Sequence, residues 1–235
     1  MAAERLDKLI SGAGLASRSE AKQLIRQGRI TVDGRPALSP EQKVDTETSS
    51  VCLDGKVVCC ETFRYFMMNK PAGVLSATED EKQETVLDLL PKELQRIGLG
   101  PVGRLDKDTT GLLLLTNDGD MTHRIISPKK QVEKLYRAQV ERMPRAGAEE
   151  AFASGITLGD GTKCLPARLE RVEENTVLVT VCEGKFHQVK RMLAAQDAPV
   201  VFLHRMRIGK LSLPEDLKPG DWIELDAKEI QKALE

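Results

Sequence analysis

Residues 100–120 read GPVGRLDKDTTGLLLLTNDGD, a polar loop bounded by glycines that runs into a strongly apolar strand at 112–115. A carboxylate on a loop feeding a buried strand is held firmly and can still face a cleft, as a nucleophile or general base requires. Asp106 occupies that place, and Arg104 and Lys107 near it favour a negative charge there. An aspartate in such a loop is also a common turn-former, so the string alone leaves both roles open.

Outward from this loop, residues 64–68 (RYFMM) read as a strand that breaks at Asn69-Lys70-Pro71-Ala72-Gly73, and a new domain is expected to start near residue 64. Residues 133–140 (EKLYRAQV) alternate as a strand, with Tyr136, Ala138 and Val140 on one side and Leu135, Arg137 and Gln139 on the other. A tyrosine directed into a pocket offers an aromatic face to a base and a hydroxyl for hydrogen bonding; a core tyrosine shows the same pattern. Residues 176–182 form a further strand, Glu183-Gly184 turns the chain, and 186–196 is expected to be a helix. Its face carrying His187, Lys190, Arg191 and Ala194 is polar and can reach a cleft or meet solvent, while Val189, Met192 and Leu193 pack.

At the other end of the chain, Ser17 and Glu20 make a capping box that predicts a helix over 18–27, ended by Gly28. Arg18, Lys22 and Arg26 recur every four residues as a basic stripe beside an apolar side of Ala21, Leu24 and Ile25. Asp33-Gly34 after Ile30-Thr31-Val32 predicts a tight hairpin, and Asp54-Gly55 within 51–58 repeats the pattern.

The length of 235 residues suits two unequal domains, and a 40% hydrophobic, 30% charged composition is that of a soluble globular protein. The longest apolar run, 111–115, is too short to cross a bilayer, so no membrane partner is expected. Glu4, Arg5, Asp7 and Lys8 interrupt the place where a signal peptide keeps its apolar core, which makes the cytoplasm the expected compartment. Five cysteines without a CxxC pair and three dispersed histidines point to reduced thiols and no metal site; vicinal Cys59 and Cys60 read as small residues near a domain junction. The net charge of −1 hides segregation: 79–93 is acidic, whereas 124–145 and 185–210 are basic, as is the stripe at 18–26. These stretches suggest one electropositive surface if the fold gathers them.

RLDKLISGAGLASRSEAKQLIRQGRITVDGRPA, residues 5–37, resembles the S4 RNA-binding domain, over roughly residues 4 to 50. The resemblance implies phosphate contacts from Arg5, Lys8, Ser17, Arg18, Lys22, Arg26 and Arg29. GRLDKDTTGLLLLTNDG, together with YFMMNKPAG, SPKKQVEKLYRAQVE and EGKFHQVKRMLAA in that order, resembles the RsuA-type pseudouridine synthases. That resemblance implies an α+β chain: an S4 domain at 1–60, a short hinge near 60–64, and a catalytic domain at 61–235 on a mainly antiparallel mixed sheet. It makes Asp106 the catalytic residue, Tyr136 the active-site tyrosine, and Lys190 the basic partner of Asp106, with Arg191 as the alternative. Many relatives carry arginine at the position of Lys190, and lysine lacks the bidentate fork. His187 is read as a structural hydrogen-bonding residue.

The implied reaction breaks a glycosidic C–N bond, turns the uracil and rejoins it through carbon. Such a rearrangement requires no cofactor, in keeping with a sequence that has no P-loop and no dinucleotide fingerprint. The target base must leave its stack; Arg104 is then placed to support the vacated space and Tyr136 to stack on the uracil. HQVKRM with DTTGL is closer to the small-subunit members than to the large-subunit ones, which favours 16S rRNA, free or in an assembling subunit, and family analogy implies a monomer. The alternatives are a large-subunit (23S) enzyme and a noncatalytic S4 RNA-binding assembly protein.

Overall fold

The computed structural model describes residues 3–46, 48–58 and 63–235. Cys59, Cys60 and most of the hinge expected at 60–64 lie outside the described residues. The chain divides into two compact units: Met1–Arg64 with Leu90–Leu99, and Tyr65–Leu89 with Gly100–Glu235.

In the first unit the elements are β1 (Ala3–Arg5), α1 (Leu6–Gly12), α2 (Arg18–Arg26), β2 (Ile30–Val32), β3 (Arg35–Pro36), β4 (Lys43–Asp45), β5 (Val51–Leu53) and β6 (Lys56–Val57). Local chemistry sets most of these boundaries. Ser17 Oγ accepts the Glu20 N–H at 3.3 Å while the Glu20 carboxylate accepts the Ser17 N–H at 2.7 Å, the expected capping box. At the other end Gly28, with φ +68°, donates to Ile25 O and Arg29 to Leu24 O, the paired bonds of a Schellman stop. Asp33 and Gly34 (φ +50° and +75°) close the β2–β3 hairpin, and Asp54 and Gly55 (φ +50° and +77°) close β5–β6; two consecutive positive φ values match the right-handed twist of the strands they join. Leu6, Ile10, Ala21, Ile25, Ile30 and Val51 form the core under these elements.

The second unit is built on a nine-stranded sheet. In chain order its elements are β7 (Tyr65–Lys70), β8 (Gly100–Pro101), β9 (Thr110–Thr116), α4 (Gly119–Ile126), β10 (Lys134–Val140), α5 (Ala148–Ser154), β11 (Arg168–Glu173), β12 (Thr176–Val181), α6 (Gln188–Ala194), β13 (Val200–Ile208), β14 (Leu211–Ser212), β15 (Trp222–Leu225) and α7 (Ala227–Gln231); the short helix α3 (Lys92–Gln95) belongs to the first unit. The main strand order is β11-β12-β10-β13-β9-β7-β15, with β14 on β13 and β8 on β9, and β13–β9 is the one parallel pair among the described strands. One core gathers Ala138, Phe152, Val177, Val179, Met192 and Leu193 against α5 and α6; another gathers Met67, Leu112, Leu114, Met121 and Ile125 with the chain end at Ala233.

Two sequence expectations are corrected. The strand at 65 continues through Asn69 and Lys70, because both residues pair with β9 (Asn69 with Leu112, Lys70 with Gly111), and the break falls at Pro71, which lacks an N–H to donate. The helix expected over 186–196 begins only at Gln188, because His187 takes a left-handed backbone, φ +48°.

Candidate active site

Asp106 stands on the loop between β8 and β9, and that loop is clamped on both sides. The hydroxyl of buried Ser76 accepts the Leu105 N–H at 3.1 Å and donates to the Leu105 carbonyl at 2.9 Å. The Lys107 carbonyl accepts from the Gly73 N–H at 2.8 Å. Lys70 sits beneath, fully buried, and its ammonium donates to the carbonyls of Pro71 (3.0 Å), Thr109 (3.1 Å) and Lys107 (3.3 Å). Burial pushes Lys70 down to about 8. With its neighbours pinned and Leu105 buried, Asp106 keeps a partly exposed carboxylate in a fixed place.

That carboxylate meets two residues at the start of α6. Lys190 Nζ lies 3.2 Å from Asp106 Oδ2 and 2.5 Å from Asp108 Oδ1, so one cation is shared by two carboxylates. Burial works against the Lys190 charge, but the hydrogen bonds to Asp108 and Asp106 outweigh it and raise the ammonium above its ordinary value. The hydrogen bond from Lys190, with its charge, holds the Asp108 carboxyl below the usual range. His187 Nε2 approaches Asp106 Oδ1 at 3.5 Å and the ring stacks on Phe186, so His187 faces the carboxylate where the sequence suggested only a structural role. Arg191 does not join this group: its guanidinium binds Asp160 at 2.6 Å and the Phe186 carbonyl at 3.4 Å.

The turn ahead of α6 is tied down in the same manner. Buried Glu183 accepts from the Leu165 N–H (2.8 Å), Gln188 Nε2 (2.9 Å) and Lys185 Nζ (2.5 Å), and Gln188 Oε1 accepts the Lys185 N–H at 2.9 Å. These bonds fix the approach of His187 and Lys190 to the loop.

Tyr136 is placed by the sheet. It is half-buried on the face of β10 expected from its alternation, with Ala138 and Val140 buried beside it. Registers align Tyr136 with Arg205 on β13, Arg205 with Gly111 on β9, and Gly111 with Lys70 on β7, a single row across four strands. Gly111 permits the row: a Cβ there, at φ +102°, would lie 2.3 Å from the Arg205 carbonyl oxygen. Buried Arg205 donates from Nε to the Leu112 carbonyl (2.7 Å) and from Nη1 to the Tyr136 hydroxyl (3.4 Å). Arg104 is exposed on the loop two residues before Asp106.

Ser76, Lys70 and Arg205 are positioning residues that the sequence reading did not single out. Lys70 carried the one available signal, its place in the string YFMMNKPAG at 65–73, directly before Pro71.

In the first unit the proposed phosphate contacts separate into two groups. Arg5 pairs with Asp7 (2.8 Å) and Glu41 (3.3 Å), Lys8 with Glu4 (2.6 Å), and Arg29 with Asp54, while Ser17 caps α2. Arg18, Lys22 and Arg26 run along α2 as the stripe expected, with Arg18 and Arg26 exposed. The second unit's basic stretches divide: Arg124, Lys129, Lys130 and Arg142 are exposed, while others are buried or paired. Lys134 and Arg205 are interior, and Arg137, Arg145, Lys185, Arg191, Arg207 and Lys210 each face a carboxylate.

Residues 64–195 match the family described as RNA pseudouridylate synthase, and residues 4–49 match the S4 domain. The chain is 44% identical over 230 residues to an uncharacterized RNA pseudouridine synthase of Bacillus subtilis (strain 168), with 96% of each protein covered. It is 44% identical over 227 residues to the ribosomal small subunit pseudouridine synthase A of Vibrio cholerae serotype O1, covering 96% of this chain and 97% of that protein. A crystal structure of a pseudouridylate synthase is similar with a TM-score of 0.69 at 37% identity, covering 97% of this chain and 99% of the other.

Proposed function

We propose that this chain, which belongs to the RNA pseudouridylate synthase family, converts one uridine of 16S small-subunit ribosomal RNA to pseudouridine with Asp106 as its catalytic residue. The observation that carries the proposal is the 3.2 Å pair of Asp106 with Lys190, set on a loop that Ser76, Gly73 and Lys70 hold still. In this reading residues 1–60 hold RNA and residues 61–235 perform the chemistry. The protein works as a monomer in the cytoplasm, on rRNA that is free or in an assembling subunit.

The reaction conserves atoms. The C1′–N1 bond breaks, the uracil turns, and a C1′–C5 bond forms; C5 loses a proton and N1 gains one. Asp106 can attack C1′, add to C6 or remove a ribose proton, and each route uses the ionised carboxylate. Lys190 sits on one oxygen and balances its charge, while Asp108 holds the far side of the same ammonium. Tyr136 offers its ring to the extruded uracil, with its hydroxyl steadied by Arg205. Arg104 supports the gap in the stack, and Arg18, Lys22 and Arg26 hold phosphates of flanking RNA.

Because C5 surrenders its hydrogen, release of tritium from rRNA transcribed with 5-tritiated uridine measures the reaction directly. Release from small-subunit rRNA or its assembly particle, and not from large-subunit rRNA, is expected. Release from large-subunit rRNA alone leaves the chemistry standing and overturns the substrate. Binding without release from either identifies a noncatalytic RNA-binding protein.

A further inference from the structure

Phe186 is the most exposed of the eight aromatic side chains in the chain, at 74%. It is also one ring away from the reacting carboxylate. Its ring lies face to face with that of His187, centroids 3.8 Å apart and planes 19° apart, and His187 Nε2 lies 3.5 Å from Asp106 Oδ1. Consecutive residues of a helix point about 100° apart and cannot stack in this way. The left-handed backbone of His187 turns the chain so that they do, a conformation uncommon for a residue with a side chain. Strained backbone of this kind persists where surrounding bonds over-determine it. Here they do: Arg191 holds the Phe186 carbonyl at 3.4 Å, and Gln188 and Glu183 fix Lys185 and the turn.

The result is an aromatic plane with one face on His187 and the other in solvent, at the mouth of the site. Extruding a uridine leaves the neighbouring base without its stacking partner, and an aromatic face at that place replaces it. We propose that the outer face of Phe186 is a stacking subsite for the nucleobase next to the target uridine in the RNA strand; this rests on the reading of the site as a uridine isomerase. The subsite tolerates any base, because every base has a π-face. It therefore contributes affinity and alignment of the strand, while other contacts select the uridine.

The test uses the full-length protein and a small-subunit rRNA fragment that the wild type converts, made intact and in two further forms, abasic at the nucleotide 5′ or 3′ of the target. Steady-state constants are measured for wild type, Phe186→Ala, Phe186→Leu and Phe186→Tyr. On the intact RNA the alanine and leucine variants are expected to raise KM by about 5- to 150-fold, the range that loss of one base–aromatic stack gives, with the larger part of the effect in KM and little in kcat. Phe186→Tyr restores the wild-type KM. On one of the two abasic RNAs the wild type and Phe186→Ala have equal KM, which a merely structural role for the ring would not produce. A KM for Phe186→Ala within twofold of wild type overturns the proposal, as does an equal penalty on all three RNAs or full rescue by leucine. If the wild type converts no rRNA fragment, the functional reading fails and the subsite falls with it; if it converts the RNA but the stacking pattern is absent, the subsite alone fails.

Discussion

Lys190 is the only cation within 4 Å of Asp106 whose charge does not depend on the state of an imidazole, among the described residues. Removing it in Lys190→Met leaves two carboxylates without their shared partner, and a hydrogen bond to a charged group contributes roughly 1.5–3 kcal/mol. A fall in kcat/KM of about 10- to 100-fold is expected from single-turnover assays, against a smaller fall for Arg191→Met, which loses Asp160 and not Asp106. Lys70 gives a pH dependence of stability. Its folded value of about 8 lies below its ordinary 10.5, so the unfolded chain binds more protons between those values. Its contribution therefore rises with pH across that window and is lost as pH falls through about 8. In urea unfolding, the stability of wild type relative to Lys70→Met is expected to increase from pH 7.5 to pH 9.5; a constant difference contradicts this account. At this scale the pairing of Asp106 with Lys190 was legible because each lies in a long signature string. Ser76 and Arg205 were not, since their contacts join residues 29 and 93 positions apart and leave no local pattern; Lys70 lies in such a string, but its long-range contact to Thr109 is not written there.

Helices and strands were legible where their boundaries are written locally. The Ser17–Glu20 box, Gly28, and the two Asp-Gly turns each act within a few residues, and each appears where the sequence puts it. The start of α6 and the end of β7 were misread because tertiary contacts decide them: the Glu183–Gln188 network turns His187, and pairing with Gly111 carries β7 through Lys70. Substitutions divide accordingly. Ser17→Ala removes one side-chain acceptor and is expected to destabilise the first unit by about 1 kcal/mol in thermal unfolding, with catalysis on short RNA little changed. Gly111→Ala is expected to be far more damaging, about 3 kcal/mol or more, because its Cβ meets the Arg205 backbone at 2.3 Å in a left-handed conformation. It separates β9 from β13 and so moves Tyr136 away from the Asp106 loop; near-wild-type stability and activity would contradict the four-strand row.

Across the whole molecule, charge is arranged less simply than the basic stretches suggest, and pairing decides which cations are available to RNA. Arg18, Lys22 and Arg26 form a stripe along α2, whereas Arg5, Lys8 and Arg29 already hold carboxylates. Replacing the first three with alanine is expected to reduce the slope of log affinity against log salt by about 2, at roughly 0.7 per phosphate for single-stranded RNA; replacing the second three changes it by less than about 1. Equal slopes for the two triple variants would contradict the division. The central claim joins Asp106 to a ribosomal uridine, and base-resolved pseudouridine mapping of total rRNA tests it most directly, in cells lacking the protein and complemented with wild type or Asp106→Asn. The account predicts that one 16S site is lost and that only wild type restores it; restoration by Asp106→Asn, or an unchanged map without the protein, would contradict it.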